Sequence, residues 1–389
     1  MTPSPSLTQV RTGDLAERIA AIGDCFAIEG EFLYGEELQS GHINTTYRAC
    51  YKADDNREER YILQRINENV FRNPGAVMRN VEKVTRHICW KVMRRRKGAA
   101  GQTLSLYPAR GGRTYVTLED GGVWRCYNNI EGTHTYDVVE NTRQAYQAGY
   151  AFGSFQELIS DMNPDDIVET IPNFHNTRKR YEALMEAVEK DCNARLESCR
   201  TEVELARQWE SDVDRLLSLQ AMGLLPTRIT HNDTKINNVM LDAETDEAVC
   251  VIDLDTVMPG LVLYDFGDMV RTATCTAEED EEDLNKVCMQ MPLFESLLEG
   301  YLDAAGEFLT SEEIEQLPFS GKLITIEIGI RFLTDYLNGD VYFKTHKPQH
   351  NLIRARNQFR LAQSIQDNLP QMNKYVQKLS SSYKKKRLH

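Results

Sequence analysis

No two cysteines in this sequence stand as C-x-x-C. The nine are scattered at positions 25, 50, 89, 126, 192, 199, 250, 275 and 288, without a His-rich tract beside them. Neither a disulfide framework nor a zinc site is signalled. Nowhere do 18 apolar residues run together, so no membrane-spanning helix is expected. The opening MTPSPSLTQV lacks the charged start and apolar stretch of a secretory leader. A reducing, cytoplasmic setting with no membrane partner is the expectation. Positive charge is also short, with 45 Lys and Arg against 59 Asp and Glu and a formal charge of −14. That balance argues against a surface that coats nucleic acid, while leaving room for a local anion site. There is no internal repeat, and no G-x₄-G-K-[ST], which excludes a Walker-type nucleotide site. A composition of 41% hydrophobic and 27% charged residues describes a globular chain, and 389 residues suggest two to three domains.

Residues 28 to about 127 read as short strands with one helix. Thr45 to Tyr51 alternates and is β-branched, and Tyr61-Ile62-Leu63 is a short apolar strand. Thr114 to Leu118 leads through Glu119-Asp120-Gly121-Gly122 into Val123 to Tyr127, a hairpin signal. Between them Val77, Val81, Val84, Ile88 and Val92 follow helical spacing. After Gly132 the pattern turns helical, with Ala145, Ala148, Phe152, Phe155 and Leu158 on one face. A hairpin is expected from Asn238 to Leu241 and Ala248 to Leu254, around the polar turn 242–247. The acidic run Glu278 to Asp283 reads as a solvated face, and Lys384 to Arg387 as a frayed end.

The chemistry concentrates in Ile229-Thr230-His231-Asn232-Asp233-Thr234-Lys235-Ile236-Asn237-Asn238, followed by Val251-Ile252-Asp253-Leu254-Asp255. An apolar strand ending in an acid places that acid at a sheet rim, where a carboxylate must find a metal or a donor. The hairpin brings Asp233, Asn238 and Asp253 to one edge, and oxygen ligands of this kind suit Mg²⁺. The pattern H-x-D-x₄-N has the spacing of a kinase catalytic loop, with Asp233 as the base, Asn238 as a metal ligand and Asp253 as the second metal acid. The literal Asp265-Phe266-Gly267 lies twelve residues beyond Asp253, so Asp265 is expected to bond backbone amides at a helix entry. Tyr34 to Tyr47 is the candidate phosphate turn, in which Gly41 permits close approach and Asn44 and Thr45 add donors.

These residues resemble the aminoglycoside phosphotransferase and choline kinase group of small-molecule kinases. Gly41 to Tyr47, Tyr61 to Gln64, Met78 to Glu82, His231 to Lys235, Ile252 to Thr256, Arg331 to Leu333 and Gly339 to Phe343 more closely resemble the N-acetylhexosamine 1-kinases. The resemblance runs in order from about residue 28 to 360. It implies a two-lobed α+β, protein-kinase-like fold, with an antiparallel N-terminal sheet carrying one helix and a larger, mostly helical C-terminal lobe. Residues 1–130 would be the nucleotide-binding lobe, and 131–389 would carry the catalytic loop and the sugar site. It further implies ATP and Mg²⁺ as cofactors, small-molecule partners, and phosphorylation of the anomeric hydroxyl of GlcNAc or GalNAc; the oligomeric state stays open, with a monomer favoured. By position, His42, Arg331 and Tyr342 would touch the sugar together with Asp233, and Asn128, Asn129 and Ile130 would be the hinge facing adenine.

The residues themselves support part of this. Glu327, Arg331 and Asp335 fall at i, i+4, i+8 on an apolar helical pattern from Leu323 to Leu337; an exposed ion-pair ladder would explain the spacing equally well. Arg331 with His42 and Tyr342, neutral or bidentate hydrogen-bonders, suits an amide-bearing sugar better than a cationic aminoglycoside. One departure stands out. Gln64 occupies the strand position where kinases of this fold carry a phosphate-binding Lys, so Glu82 is left to pair with Arg65 or Arg79 or to stay free, and Lys235 is a candidate for the missing charge. The competing readings are the same fold acting on an aminoglycoside, another sugar or choline, and a non-catalytic nucleotide binder.

Overall fold

Alternation along strands decides which residues of the N-terminal region become core. The computed structural model describes residues 13–38, 44–95 and 103–386, with side chains up to residue 381. The chain divides into two units, Met1–Gly132 and Thr133–His389.

The first unit consists of helix α1 (Asp14–Gly23), strands β1 (Glu31–Leu38), β2 (Thr45–Lys52) and β3 (Glu58–Arg65), helix α2 (Pro74–Arg95), and strands β4 (Leu106–Tyr107), β5 (Val116–Thr117) and β6 (Val123–Asn128). They form one sheet in the order β1-β2-β3-β6-β4, with β5 also on β6. Every pairing is antiparallel. One face presents Tyr47, Ala49, Tyr51, Tyr61, Leu63, Trp124 and Cys126 to Ile19, Ile22 and Phe26. Tyr47 and Trp124 stack at 5.4 Å within it. Helix α1, unforeseen in the sequence pattern, covers this face through Ile19 and Ile22, and its first turn carries Asp14 and Glu17, favourable to the helix dipole. The expected hairpin forms between β5 and β6, with Gly121 at φ 82 in the turn. The predicted amphipathic helix is α2; Asn73 accepts the Ala76 amide at 3.0 Å to cap it, and only its first half is buried.

The second unit is mostly helical. In order it has β7 (Thr133–His134), α3 (Thr142–Ile159), α4 (Thr177–Lys190), α5 (Arg200–Gln208), α6 (Arg215–Ala221), β8 (Arg228–Thr230), β9 (Val239–Asp242), β10 (Ala248–Val251), β11 (Met258–Gly260), α7 (Val262–Ala273), α8 (Met291–Ala305), α9 (Ser311–Leu337) and α10 (His350–Lys386). β9 and β10 make the expected hairpin, joined by β7, and β8 pairs with β11. α9 is buried along nearly its whole length and packs against α4, α7 and α10. A capping box of Thr310 and Glu313 starts it. Glu313 also takes two hydrogen bonds from Arg228, at 2.7 and 2.9 Å, which ties β8 to the start of α9. The acidic run is not a free solvated face: Glu279 pairs with Arg271, and Asp280 with Lys347 and His350.

α3 and α8 approach so closely that only glycine fits at their crossing. A Cβ on Gly300 would sit 2.0 Å from the Tyr146 carbonyl oxygen, and one on Gly149 would sit 2.1 Å from that of Leu297. Backbone atoms cannot give way as a flexible side chain does, so the helices must part. We expect Gly300→Ala to lower unfolding free energy by roughly 3 kcal/mol. Urea unfolding checks this, and an unchanged midpoint would show that the crossing is looser than described.

Candidate active site

Strand β8 ends at Thr230, and the chain then turns through Asn232, whose φ of 67 is left-handed and suits Asn. Two carboxylates from the first two turns of α7 hold this turn. Asp265 accepts the amide of His231 at 2.9 Å on Oδ2 and that of Asn232 at 2.7 Å on Oδ1, and Gln156 of α3 donates to Oδ2 at 2.7 Å. Asp265 thus bonds backbone amides at a helix entry, as its distance from Asp253 implied. Asp268 accepts the Thr234 amide at 2.9 Å, and the Thr234 hydroxyl donates to the Asp265 carbonyl at 2.7 Å. The Thr256 hydroxyl donates to the His231 carbonyl at 2.7 Å, and Asn232 Nδ2 donates to the Thr256 carbonyl at 2.8 Å.

The two acids differ electrostatically. Burial pushes the Asp265 carboxyl up, opposed by the hydrogen bonds from the two backbone amides and Gln156. Burial also works against charge on Asp268, but Arg271 outweighs it and holds that carboxyl below its usual range. Asp268 meets Arg271 at 2.8 Å, and Arg271 meets Glu279 at 3.0 Å. Full burial of His231 fixes its tautomer. Nε2 faces the Ile252 carbonyl at 2.9 Å and so donates, which leaves Nδ1 to accept the Asp233 amide at 3.3 Å.

Asp233 supplies the carboxylate of the turn itself, and both of its oxygens have partners. Its side chain is 26% exposed, and Lys235 Nζ lies 3.2 Å from Oδ1. The charge of Asp233 raises the Lys235 ammonium pKa despite burial. Asn238 Nδ2 donates to the Asp233 carbonyl at 2.9 Å and to Oδ2 at 3.2 Å. The Asn238 carbonyl in turn accepts the Ile252 amide at 2.9 Å, which brings Asp253 beside it. β10 stops at Val251, so Asp253 lies beyond the strand with left-handed φ 59, opening a 3₁₀ turn rather than ending the strand as the sequence pattern suggested.

Among the described residues no three His, Cys, Asp or Glu side chains form a metal cluster. The bonds that Asn238 makes to Asp233 use its amide nitrogen, and the oxygen groups at this edge are the Asn238 side-chain carbonyl and the Asp253 carboxylate. Two hard oxygens fit a divalent cation such as Mg²⁺ that brings other ligands with it, because Mg²⁺ commonly takes one or two protein oxygens plus phosphates and water.

The α9 residues do not form an exposed ladder. Glu327 is fully buried, accepting from His175 Nδ1 at 2.8 Å and Thr177 Oγ1 at 2.6 Å. Burial opposes its charge, yet His175, Thr177 and Arg331 together hold the carboxyl below its usual range. Asp335 is buried and takes the amides of Val341 and Tyr342 on Oδ1, at 3.0 and 2.8 Å, and of Phe343 on Oδ2, at 2.9 Å. The loop pinned in this way leaves Tyr342 62% exposed, so it is not a core aromatic. Arg331 lies against Phe174, Phe343 and Tyr342 at 5.3, 5.5 and 6.0 Å. Arg180, unforeseen in the sequence, donates to the Phe174 carbonyl at 3.0 Å; burial and then the charge of Arg331 disfavour its protonated form. A cavity of about 160 Å³ beside these groups is lined by Phe174, His175, Tyr264 and Asn232.

In the first unit Asn44 is buried and accepts the Asn67 amide at 2.9 Å, while Thr45 opens β2 and is exposed. Gln64 bonds Thr46 and Arg125. Glu82 meets Arg86 at 3.5 Å and Thr114 at 3.4 Å, and Arg65 meets Asp120 at 3.8 Å, so neither anticipated pairing of Glu82 forms. Asn128 bonds Ser105 and Thr103 through its side chain. The Asn129 amide donates to the Arg60 carbonyl, and Ile130 is buried. Gly41 and His42 lie outside the described residues.

An antiparallel sheet with an inserted helix, followed by a helical unit with a His231-x-Asp233 turn, is a protein-kinase-like architecture of the small-molecule kinase type. The profile of the phosphotransferase enzyme family (APH) matches residues 35–312, and the chain belongs to that family. Solved structures of similar fold include an aminoglycoside phosphotransferase from Alicyclobacillus acidocaldarius, at 12% identity and TM-score 0.59, over 96% of this chain and 99% of that one. A microcompartment-associated aminopropanol kinase is 15% identical with TM-score 0.54, over 92% and 98% of the two chains. An amicoumacin kinase in complex with AMP-PNP and Ca²⁺ is 13% identical with TM-score 0.53, over 90% and 93%. At such identities the likeness is one of fold.

Replacing Asp265 by Asn sets an amide NH₂ against one of three N–H donors. We expect Asp265→Asn to cost roughly 2 kcal/mol of stability and to lower phosphotransfer far more than substrate binding. Denaturant unfolding and steady-state kinetics on the same preparation check this; wild-type kcat would show that the turn holds without Asp265.

Proposed function

We propose that this phosphotransferase is an ATP-dependent N-acetylhexosamine 1-kinase, transferring the γ-phosphoryl group to the anomeric hydroxyl of GlcNAc or GalNAc. The observation that carries the acceptor side is the pair Arg180 and Arg331. Both are cationic and neighbour each other, neither forms an ion pair among the described residues, and the exposed ring of Tyr342 stands beside Arg331. Such a surface repels an ammonium-bearing acceptor and offers planar donors and a ring face to a neutral, carbonyl-bearing sugar. The fold neighbours described as aminopropanol and aminoglycoside kinases take amines, and this cluster opposes that charge.

In this reading Asp233 orients the O1 hydroxyl and takes its proton, held in place by the Asn238 amide and Lys235. Asn238 and Asp253 would hold Mg²⁺, which supplies charge neutralisation at the phosphates when bound. Lys235 donates positive charge to the γ-phosphoryl oxygens. Gly41, Asn44, Thr45 and Gln64 serve the phosphates, Asn128 to Ile130 the adenine, and His42 the sugar. The transfer is direct and in line, so positioning and electrostatics carry it.

Phosphorus NMR of reactions with ATP and Mg²⁺, run over GlcNAc, GalNAc, glucose, kanamycin, choline and aminopropanol, tests the reading. A sugar 1-phosphate signal from the two acetamido sugars is expected; turnover confined to the amines would overturn it. Asp233→Asn should reduce kcat roughly 10³-fold while ATP and sugar still bind, and retained turnover would remove Asp233 as the base. For Lys235→Ala we expect a fall in kcat of about 10-fold or more at nearly constant sugar KM; an unaltered kcat would assign that charge elsewhere.

A further inference from the structure

Across β2, β3 and β6 the residues Thr46, Gln64 and Arg125 stand in register, side by side on the sheet face opposite the aromatic core. Arg125 is fully buried, although arginine is among the residues least often found so. Its Nε and Nη2 both donate to Gln64 Oε1, at 3.0 and 2.5 Å. Its guanidinium also lies 3.8 Å from the Met78 sulfur of α2 and over the Tyr127 ring at 5.1 Å. A guanidinium stays protonated under such conditions, so a fixed positive charge sits directly behind the Gln64 amide.

Two donors on one carbonyl oxygen leave Gln64 a single orientation. The oxygen faces Arg125 and the NH₂ faces away from it. One amide hydrogen goes to Thr46 Oγ1 at 3.0 Å. The second has no partner among the described residues, and Gln64 is only partly buried. Withdrawal of electron density by the cation on Oε1 makes that N–H a stronger donor.

We propose that Gln64 and Arg125 together replace the strand lysine that kinases of this fold use for the α and β phosphates. Gln64 donates its remaining N–H to a phosphate oxygen of the nucleotide, and Arg125 is the positioning residue that orients and polarises it from the neighbouring strand. The charge has moved one strand over and one layer in, and contact with the ligand is made by a neutral amide. The inference rests on the reading that the first unit binds ATP.

The test is calorimetric titration of the full chain with ATP and Mg²⁺, which needs no acceptor, alongside thermal melts. Arg125→Met should weaken ATP binding about 10- to 100-fold, and Arg125→Lys should recover part of that loss, because it restores charge without the two-point grip on Gln64. If Arg125→Met does not fold, the exchange variant Gln64→Lys with Arg125→Gln decides. It returns a lysine to β3 with an amide beside it, and ATP affinity within a few-fold of wild type is expected. A folded Arg125→Met, or a folded exchange variant that cannot bind ATP, separates the cases: unchanged affinity in the first or lost affinity in the second overturns the inference while wild-type binding keeps the nucleotide reading. Wild-type protein that binds no ATP overturns both.

Discussion

The turn around Asp233 depends on one arrangement: two carboxylates, Asp265 and Asp268, projecting from the start of α7 onto the backbone amides of residues 231, 232 and 234. A turn with a left-handed Asn232 cannot satisfy those amides with a regular ladder, and unsatisfied buried amides are costly. Borrowing acceptors from a helix solves this, and it sets the order of everything nearby. His231 is turned to the Ile252 carbonyl, Asn238 is drawn against Asp233, and Asp253 follows Ile252. α7 is in turn seated on α9, so the buried central helix underlies the geometry of a surface carboxylate.

Charge is sorted by depth in the second unit. Buried acids are matched to specific donors: Asp268 to Arg271, Glu327 to His175 and Thr177, Asp335 to the amides of 341–343. Arg180 and Arg331 gather at Phe174, whose ring also lines the cavity, and Arg331 helps to hold the buried Glu327 carboxyl ionised. Glu327 illustrates the division of labour, because it orders His175 from beneath while contributing nothing to the exposed surface.

Much was legible without coordinates. Alternation in β2, the short apolar run in β3 and the Gly121 hairpin pointed to the antiparallel sheet, because period and turn chemistry are local properties. The spacing of His231, Asp233, Asn238 and Asp253 marked the loop, since a hairpin of known length returns the chain to the same edge. Asp265 could be set aside as a metal acid from its distance to Asp253 and from its place away from a strand end, but that its amides would come from residues 231 and 232 could not be read from the sequence. The periodicity of Glu327, Arg331 and Asp335 was also visible, but period three to four does not say whether a face is wet or buried, and here it is buried. Helix α1 escaped notice because its buried contribution is little more than Ile19 and Ile22.

The sequence by itself determined the class of chain, the two-part order of strands and helices, and the residues around Asp233, because these follow from local pattern and short-range spacing. Only the tertiary structure decided which groups share a surface. Gln156 reaches Asp265 from 109 positions away, His175 meets Glu327 across 152, and Arg125 takes up Gln64 across 61. Side-chain partners at such separations are set by how helices and strands pack, and packing is a property of the whole fold rather than of any stretch of the chain.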